Sequence, residues 1–389
     1  MTRTDVLVVG AGPVGVLNAL GLAKAGLSVR VLEAQPGVVR SPRAMVYHWA
    51  VLDGLERLGV LDDAERAGFT KQEYDYYVFA TRERISLNLN VLDGLVAHPY
   101  NVHLGQDRLA DIALAHLDRT GAAEVAFDTH VSGVTQHDDG VTVRAETPDG
   151  TREFSAGWVI AADGAGSGVR KALGLGFDGM TWPEGFVATN VRYDFEAHGY
   201  ARSTLQVDPR YGAIIAKIDN TNLWRVTYCE GPGLDEAGIL DRMPSFFDAI
   251  LPGDKDYELV QYSPYRMHQR AANTMRAGRV LLAGDAAHAT NPIGGLGLTS
   301  GLFDTFVLYD ALAAVIRGTA PDEVLDRYAE QRLRTFLELA SPMAGKNKEF
   351  LYHTADPEQL ESLRETAKDE QLQIERLKAP ARLSTPALV

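Results

Sequence analysis

Residues 6–15 read VLVVGAGPVG, and this stretch decides the fold. Its first four residues are uniformly apolar, which is typical of a strand buried on both faces of a sheet. The run stops at Gly10, and apolar residues then recur at helical spacing from Leu17 to Ala23. Residues 28–33 read SVRVLE and supply a second strand. The stretch and its surroundings therefore predict a βαβ unit whose two strands run parallel.

The turn between the first strand and the helix matches the pattern G-x-G-x-x-G. Such glycines let the backbone turn tightly and approach a pyrophosphate, while the helix N-terminus offers free N–H groups. Glu33 ends the second strand, close to the ~20-residue spacing expected for the acidic partner of a ribose hydroxyl. A tight turn without a ligand is the alternative, and the motif does not distinguish FAD from NAD. The residues predicted to bind a dinucleotide are Gly10, Gly12, Pro13, Val14, Gly15 and Glu33.

Composition limits the partners of the chain. With 389 residues, 46% hydrophobic and 23% charged, it should form a globular body of two closely joined lobes. Its 52 acidic and 38 basic residues give a net charge of -14, which repels nucleic acids and anionic membranes. The single cysteine, Cys229, cannot form an internal disulfide. We expect a cytoplasmic protein, a monomer or homodimer, without nucleic-acid or membrane partners.

Further motifs of processing or metal binding are missing from the sequence. The N-terminus lacks the basic start and long apolar stretch of a signal peptide. No stretch approaches ~20 uncharged apolar residues, the length of a membrane span. The ten histidines include no H-E-x-x-H pair, so no metal site is expected.

The rest of the chain alternates between parallel-sheet and antiparallel texture. Residues 124–160 form short alternating runs with Asp-Gly turns, which predict an antiparallel meander. Residues 159–162 and 280–283 are buried-type runs that return to the parallel sheet. Residues 186–230 are rich in strands and predict a second lobe, whereas residues 356–378 are charged with sparse apolar positions and predict a solvated helix lying on the body.

A second glycine-rich stretch decides the cofactor. Residues 279–301 read RVLLAGDAAHATNPIGGLGLTSG, a strand, a corner and a loop that opens a helix. The helix N-terminus would present N–H groups to an isoalloxazine edge that becomes anionic on reduction. Asp285 suits a ribityl or ribose hydroxyl, or else caps the helix. His288 is either a functional group or, as the alternative, a structural or surface imidazole.

Three motifs in this order resemble the p-hydroxybenzoate hydroxylase family, the single-component class A flavoprotein monooxygenases. They are the glycines of residues 10–15, DGAGSGVR at 163–170 and GDAAH at 284–288. The resemblance covers essentially the first 340 residues. It implies an α/β fold in which a Rossmann-like FAD-binding domain of the GR2 type, with a β-meander, interleaves with an antiparallel β-sheet substrate domain, plus C-terminal helices. The implied FAD-binding parts are residues 1–75, 105–178 and 273–340, the substrate-domain parts are 76–104 and 179–272, and the C-terminal helical segment is 341–389.

The resemblance also assigns cofactor contacts. FAD is implied as the tightly bound cofactor, NADH or NADPH as a transient co-substrate, and O2 as the oxidant. Arg170 would meet a phosphate or else form a structural ion pair. The family often has Asn where Thr299 stands, which puts a side-chain contact there in doubt. The contacts implied for FAD are Arg43, Gln106, Val134, Asp163, Asp285, Gly295, Gly297, Leu298 and Thr299.

For catalysis, the resemblance implies a flavin C4a-hydroperoxide that transfers oxygen to an electron-rich ring. His48 is the candidate base, Tyr47 lies beside it, and the carbonyl of Pro292 would contact a substrate hydroxyl. In the strand at 223–228, Arg225 and Thr227 share one face and Trp224 and Tyr228 the other, with the inward face left open. The substrate contacts predicted are Arg192, Arg225 and Tyr228.

The sequence thus predicts an NAD(P)H- and O2-dependent FAD monooxygenase, an aromatic hydroxylase for a small phenolic or N-heteroaromatic compound. The alternative is a flavin-binding redox sensor, or another FAD oxidoreductase without hydroxylase activity. A halogenase motif, W-x-W-x-I-P, is missing from the sequence, as is a hydrolase elbow G-x-S-x-G.

Overall fold

The computed structural model describes residues 3–40, 42, 44–353 and 356–389. The strands, in chain order, are β1 Thr4–Val9, β2 Val29–Leu32, β3 Val46–Tyr47, β4 Phe69–Lys71, β5 Glu73–Val78, β6 Glu83–Asn88, β7 Asn101–His103, β8 Ala123–Ala126, β9 His130–Gln136, β10 Val141–Thr147, β11 Gly150–Ala161, β12 Phe177–Arg192, β13 Ser203–Val207, β14 Ala213–Lys217, β15 Leu223–Glu230, β16 Glu258–Ala272, β17 Arg276–Ala277, β18 Val280–Leu282 and β19 His288–Ala289.

The helices alternate with these strands in the first half and dominate after residue 295. They are α1 Pro13–Lys24, α2 Trp49–Arg57, α3 Leu61–Ala67, α4 Gln106–Arg119, α5 Gly168–Ala172, α6 Ile239–Ile250, α7 Leu296–Ile316, α8 Glu323–Thr335, α9 Ser341–Tyr352, α10 Pro357–Lys368 and α11 Glu370–Leu377. A π-helical turn at Phe336–Ala340 joins α8 to α9.

One sheet contains the glycine-rich turn. Its strands run in the order β17-β18-β11-β1-β2-β8, and β1 pairs in parallel with both β2 and β11. Strands β9 and β10 extend β11 as an antiparallel meander. The uniformly apolar runs occupy its buried centre, where Val6, Leu7 and Val8 are 0% exposed. The parallel sheet and the meander predicted from the sequence are confirmed.

A second sheet lies across the molecule from the first. Its order is β19-β16-β12-β15-β14-β13-β5-β6, with every neighbouring pair antiparallel except β13 and β5. The long strands β12 and β16 connect the two lobes, and β3, β7 and β4 form a small third sheet. The predicted fold class, a Rossmann-like domain interleaved with an antiparallel sheet and followed by helices, is confirmed.

The exact domain boundaries stay a prediction, on which sheet membership bears. Strand β5 joins the second sheet from Glu73, three residues before the predicted excursion at 76. Strand β12 begins at Phe177 and crosses the predicted boundary after residue 178. Strand β16 ends at Ala272, where the sequence places the return to the FAD-binding part.

Helix α7 runs through the core of the first lobe. It is long and apolar enough to cross a membrane, but 72% of its 18-residue apolar stretch is buried inside the protein. It packs against α1 and the Gly284 corner. Its apolar character is therefore explained by packing in the core.

The C-terminal segment differs from the single solvated helix predicted at 356–378. It forms two helices, α10 and α11, which break at Asp369. Leu360, Leu363 and Leu377 are buried, with exposures of 8%, 1% and 4%. The sparse apolar positions are enough to dock both helices on the body.

Candidate active site

A single large cavity runs between the two sheets and has a volume of about 1950 Å³. Pockets for one small ligand usually measure roughly 300–1,000 Å³. The cavity therefore has room for a dinucleotide and a small substrate together. The glycine-rich turn lies at one end, and strands of the second sheet line the other.

The glycine-rich turn owes its shape to close backbone contacts. Gly10 has φ of +103°, and a Cβ there would lie 2.3 Å from the oxygen of Ala162. A Cβ on Gly15 would lie 2.0 Å from the oxygen of Gly10, whereas Gly12 has nothing within 4 Å of that position. Gly10, Gly12, Pro13 and Val14 line the cavity. Gly15 does not line it and instead allows α1 to pack on the turn.

Glu33 fastens this turn to the second strand. Its Oε2 accepts a hydrogen bond from the amide of Ala11 at 2.7 Å, and its Oε1 accepts from the amide of Gln35 at 2.9 Å. The side chain also lines the cavity. A carboxylate has about four acceptor positions, so two remain for hydroxyls of a ribose.

The second helix N-terminus at the cavity belongs to α7. Its N-cap is Gly295, with φ of +66°, and its first turn carries no acidic side chain. The first intrahelical bond observed there runs from the amide of Thr299 to the oxygen of Gly295. The amides of residues 296–298 therefore point toward the cavity without helical partners. Gly295, Gly297 and Leu298 line it.

The side chain of Thr299 does not take part in this site. It is 1% exposed, does not line the cavity, and its Oγ1 donates to the oxygen of Gly295 at 2.9 Å. The side-chain contact that the sequence put in doubt is therefore not seen, because a threonine inside a helix bonds back to the carbonyl four residues earlier; backbone N–H donation stays a prediction.

These features fit an FAD molecule. Two helix N-termini with glycine N-caps open onto one cavity, as a pyrophosphate and the anionic edge of a flavin require. Gln106, Asp163 and Asp285 line it between those ends. Asp163 accepts from the amide of Val169 through Oδ2, while its buried Oδ1 has no hydrogen-bond partner in the described chain. That orphaned acceptor suits a hydroxyl of the cofactor.

Three other predicted cofactor positions have a different outcome. Val134 lies in β9 opposite Val143 and does not line the cavity, because the strand presents Val131 there instead. Arg170 is buried and donates to the oxygens of Ala286 and Ala165, so it does not meet a phosphate. Arg43 lies outside the described residues.

A fully buried cluster holds the Gly284–Asp285 corner, and we call it the Asp304 hub. Asp304 accepts from His288 Nε2 and from Arg332 Nε, each at 2.8 Å. It also accepts from the amide of Gly284 at 2.9 Å. Burial alone would raise the pKa of Asp304, but the charges and hydrogen bonds of His288 and Arg332 lower it to about 2. His288 is therefore structural, one of the alternatives that the sequence left open.

His48 lines the cavity beside the loop that opens α7. Its Nε2 is 2.7 Å from the oxygen of Gly294. A carbonyl only accepts, so Nε2 carries the proton and Nδ1 holds the lone pair. In the described structure Nδ1 has no partner and is not enclosed by protein, so it faces the cavity. Burial lowers the pKa of His48, which keeps the ring neutral near pH 7.

The two residues predicted beside His48 differ from each other. Pro292 lines the cavity, and its oxygen accepts from the amide of Gly295 at 3.0 Å, which leaves one lone pair. Tyr47 is 1% exposed, does not line the cavity, and has an unpartnered hydroxyl within the described residues. Its predicted catalytic role is corrected, because in β3 its side chain points into the core.

Strand β15 turns its Arg225 face toward the cavity. Arg225 and Thr227 line it, while Trp224 and Tyr228 are buried on the opposite side. Arg225 donates through Nε and Nη2 to Asn190 Oδ1 at 3.1 and 3.0 Å. Burial lowers its pKa to about 10, which leaves it cationic at neutral pH.

The other two predicted substrate contacts are corrected. Tyr228 stacks on Phe246 with ring centres 3.9 Å apart and lies away from the cavity. Arg192 is exposed at the end of β12 and pairs with Glu258 at 3.5 Å. It stands too far along the strand to reach the cavity.

Sequence reasoning missed an aromatic wall and the segment that covers it. Tyr74 and Tyr76 of β5, Phe350 of α9 and Arg376 of α11 all line the cavity. The alternation in EYDYYV at 73–78 is a signal for the two tyrosines, which share one face of a strand. Phe350 and Arg376 carry no comparable local pattern.

A possible metal cluster lies elsewhere. Asp53, Glu56 and His98 bring ligand-type atoms within 4.8 Å of one another, and none lines the cavity. His98 already contacts Tyr100 and Glu56.

Comparisons with known proteins define the class. The family described as FAD binding domain matches residues 3–340, and the chain belongs to it. The chain is 47% identical over 354 residues to 6-hydroxy-3-succinoylpyridine 3-monooxygenase of Pseudomonas putida (strain DSM 28022 / S16), covering 90% of each chain. It is 43% identical over 349 residues to para-nitrophenol 4-monooxygenase of Pseudomonas sp. (strain WBC-3), covering 89% of this chain and 87% of the relative.

The fold agrees with these relatives. The crystal structure of p-nitrophenol 4-monooxygenase from Pseudomonas putida DLL-E4 matches with a TM-score of 0.94 and 40% identity over 98% of both chains. The protein is an FAD-dependent aromatic monooxygenase of the p-hydroxybenzoate hydroxylase type, which uses NADH or NADPH and O2. The predicted family, enzyme class and cofactors are confirmed.

Proposed function

We propose that this monooxygenase hydroxylates a small phenol or hydroxypyridine, with His48 as the base that ionises the ring hydroxyl. The observation that carries the proposal is His48, whose Nε2 is held by the Gly294 oxygen and whose Nδ1 has no partner in the described chain, in a cavity that Pro292 and the glycine-rich turn also line. A bound flavin supplies the chemistry of hydride acceptance and O2 activation. The residues of the chain then have to bind, orient and deprotonate the ring.

The proton moves from the ring hydroxyl to His48 Nδ1. The hydrogen bond from Nε2–H to Gly294 fixes the ring orientation and the tautomer, and it steadies the positive charge that forms. Because burial lowers the pKa of His48, the base is free to accept the proton near neutral pH. The resulting phenolate makes the ring carbon more nucleophilic.

Apolar side chains line the cavity in which the aromatic ring would bind. Leu205, Ile214, Met267 and Ile293 line the cavity. They exclude water from the cavity, which strengthens the contacts of the ring oxygen. Arg225 supplies positive charge that favours an ionised substrate.

The ring carbon that receives oxygen lies para to the hydroxyl in our proposal. The names of both relatives number the oxygenated carbon as the one that carries a substituent, succinoyl at position 3 or nitro at position 4. In both, that carbon is opposite the hydroxyl, where a phenolate donates electron density. Oxygen bonds to this carbon, a nitro substituent leaves with the bonding pair as nitrite, and the ring remains as a quinone. The other oxygen atom of O2 becomes water, and NAD(P)H supplies the two electrons.

For NADH or NADPH, we propose a transient site along β16. Arg266, His268 and Arg270 alternate along one face of this strand, and Arg266 and His268 line the cavity. Burial lowers the pKa of His268, and the charges of Arg270 and Arg266 lower it further. The two arginines of this strand suit the phosphates of a nicotinamide dinucleotide, with the neutral His268 as a hydrogen-bonding group between them. We also propose a cytoplasmic location and a monomer or homodimer.

The test is oxidation of NADH and NADPH by the purified holoenzyme across phenols and hydroxypyridines that carry nitro, acyl or halide groups para to the hydroxyl. We expect substrate-stimulated oxidation, release of the substituent, and one heavy oxygen atom in the product from heavy-isotope O2. If no aromatic compound stimulates oxidation, the proposed function is wrong. If oxygen enters at an unsubstituted carbon, only the para proposal fails.

A further inference from the structure

Resting on the proposed function, we infer that Arg376 and the aromatic residues beside it form a subsite for an anionic oxygen group of the aromatic substrate. Arg376 lies in α11, beyond the last residue of the family match at 340. It lines the cavity together with Tyr74, Tyr76 and Phe350. We call these four residues the outer subsite.

Aromatic rings build the wall of the outer subsite. Tyr74 and Tyr76 have ring centres 6.0 Å apart, and Phe350 meets Tyr76 edge-on at 5.7 Å. Aromatic walls favour a flat ring through offset or edge-on packing. The wall therefore suits the ring or the conjugated substituent of an aromatic substrate.

Arg376 brings positive charge to this wall. Its guanidinium lies over the ring of Tyr76 at 5.5 Å from the ring centre, and Nη2 donates to the Tyr76 hydroxyl at 3.2 Å. It forms no ion pair with a carboxylate of the described chain. Since a guanidinium has five N–H groups, donors remain for a carboxylate or a phenolate.

The position of Arg376 is fixed by its neighbours. Leu377 is buried, and its oxygen accepts from Trp49 Nε1 at 2.9 Å. Arg364 of α10 holds the same segment to Glu83 of β6 through two hydrogen bonds of 2.8 and 2.7 Å. The guanidinium is therefore presented by anchored helices, and the residue is exposed.

Two sources of the anionic oxygen share this chemistry, a carboxylate on the substituent and the ionised ring hydroxyl. A matched pair of compounds separates them: a para-hydroxyphenyl methyl ketone and the para-hydroxyphenyl ketone that carries a propanoate chain. Both have the same ring hydroxyl, and only the second has a carboxylate. Binding is measured by the change in flavin absorbance of the holoenzyme, and turnover by product formation.

The variants are Arg376→Gln, Arg376→Lys and the control Lys378→Gln. Lys378 is exposed two residues away and does not line the cavity, so its change removes the same charge without touching the subsite. If the carboxylate is the ligand, we expect Arg376→Gln to raise Kd and KM of the propanoate compound about 10- to 100-fold and to leave kcat and the methyl ketone nearly unchanged. Arg376→Lys should recover part of the affinity.

A different pattern identifies the other source. If the ionised hydroxyl is the ligand, Arg376→Gln weakens both compounds equally, and the loss grows as pH rises through the ionisation of the phenol. Equal binding by wild type and Arg376→Gln, or an equal loss in Lys378→Gln, overturns the subsite. Tight binding without turnover contradicts the proposed function and leaves the subsite measurable through Kd.

Discussion

The two helices that open onto the cavity, α1 and α7, both begin at a glycine, but different contacts hold them in place. At α1 the contacts are local, since Gly15 packs on the oxygen of Gly10 and Glu33 bonds the amide of Ala11. At α7 they come from far along the chain, since Arg332 bonds both Asp304 and the oxygen of Ser300. A short motif therefore encodes the first site, whereas the second depends on a buried network of distant residues.

The largest expected effect comes from Gly15→Val, which tests the local contacts that hold α1. A side chain there has to displace the backbone oxygen of Gly10, since even a Cβ would lie 2.0 Å away. We expect a protein isolated without FAD and with an apoprotein Tm well below wild type, because overpacking costs about 1–3 kcal/mol or more. Gly231→Val is the control, because nothing lies within 4 Å of a Cβ at Gly231 and this exposed residue does not line the cavity. Wild-type FAD affinity in Gly15→Val would contradict the account of α1.

His48→Gln probes the residue that contacts the loop before α7. Removing the base should lower kcat by about 10²- to 10⁴-fold for phenols that are neutral at the assay pH. Because burial lowers the pKa of His48, the acid limb of the wild-type kcat profile should fall below the ordinary histidine pKa of 6.5 and vanish in the variant. A phenol already ionised by a nitro group should lose much less. An unchanged profile would remove His48 from the mechanism, and the exposed His137 serves as the control substitution.

Asp304→Asn tests the long-range contacts that hold α7. The change leaves the buried Arg332 without its charged partner, and breaking a buried pair in this way costs about 3–5 kcal/mol. We expect a lower free energy of unfolding and weaker FAD binding, measured by denaturant titration and flavin fluorescence. Asp326→Asn, whose carboxylate pairs with Arg276 at the surface, is the matched control. Equal stabilities of the two variants would mean that the hub does not hold α7.

The same carboxylate predicts a dependence on acid. The folded-state pKa of about 2 lies below the ordinary aspartate value of 3.8, so its stabilisation is present above about pH 4 and is lost as pH falls toward 2. The loss amounts to about 2 kcal/mol for a group that is fully buried. Unfolding at stepwise lower pH should show this loss in wild type and not in Asp304→Asn.

The smallest effect is expected for Thr299→Val. Its Oγ1 bonds the oxygen of Gly295 within α7 and does not line the cavity. Loss of that bond should reduce the free energy of unfolding by about 0.5–1.5 kcal/mol and leave the Kd of FAD within about twofold. Titration of apoprotein with FAD measures this, and a tenfold rise in Kd would restore a cofactor contact for Thr299.

Sequence reasoning succeeded where the determinants are local. The turn at residues 10–15, the meander and the Gly284–Asp285 corner depend on glycines and apolar runs that lie next to one another. Strand alternation correctly paired Arg225 with Thr227, but the inward face depends on the other elements that enclose the cavity. Arg192 is also an arginine on a strand, but it lies at the strand end and does not line the cavity. No local sequence pattern distinguishes it from Arg225.

The docking partners of residues 356–378 could not be predicted for another reason. Residues 356–378 have few apolar positions, and their docking depends on Leu360, Leu363 and Leu377 finding partners in β6 and the turn after it. Arg376 contacts Tyr76, 300 positions away in the chain. Long-range contacts of this kind leave no periodic signal in one sequence.

The topology of the first sheet also has a consequence for synthesis on the ribosome. Strand β11 lies between β1 and β18, and the hub that holds Gly284 includes Arg332. At about 5–20 residues per second, residue 332 emerges roughly 15 to 70 s after the start of translation. A nascent chain that already displays the glycine-rich turn therefore has to wait for its last fifth before it offers FAD a finished pocket.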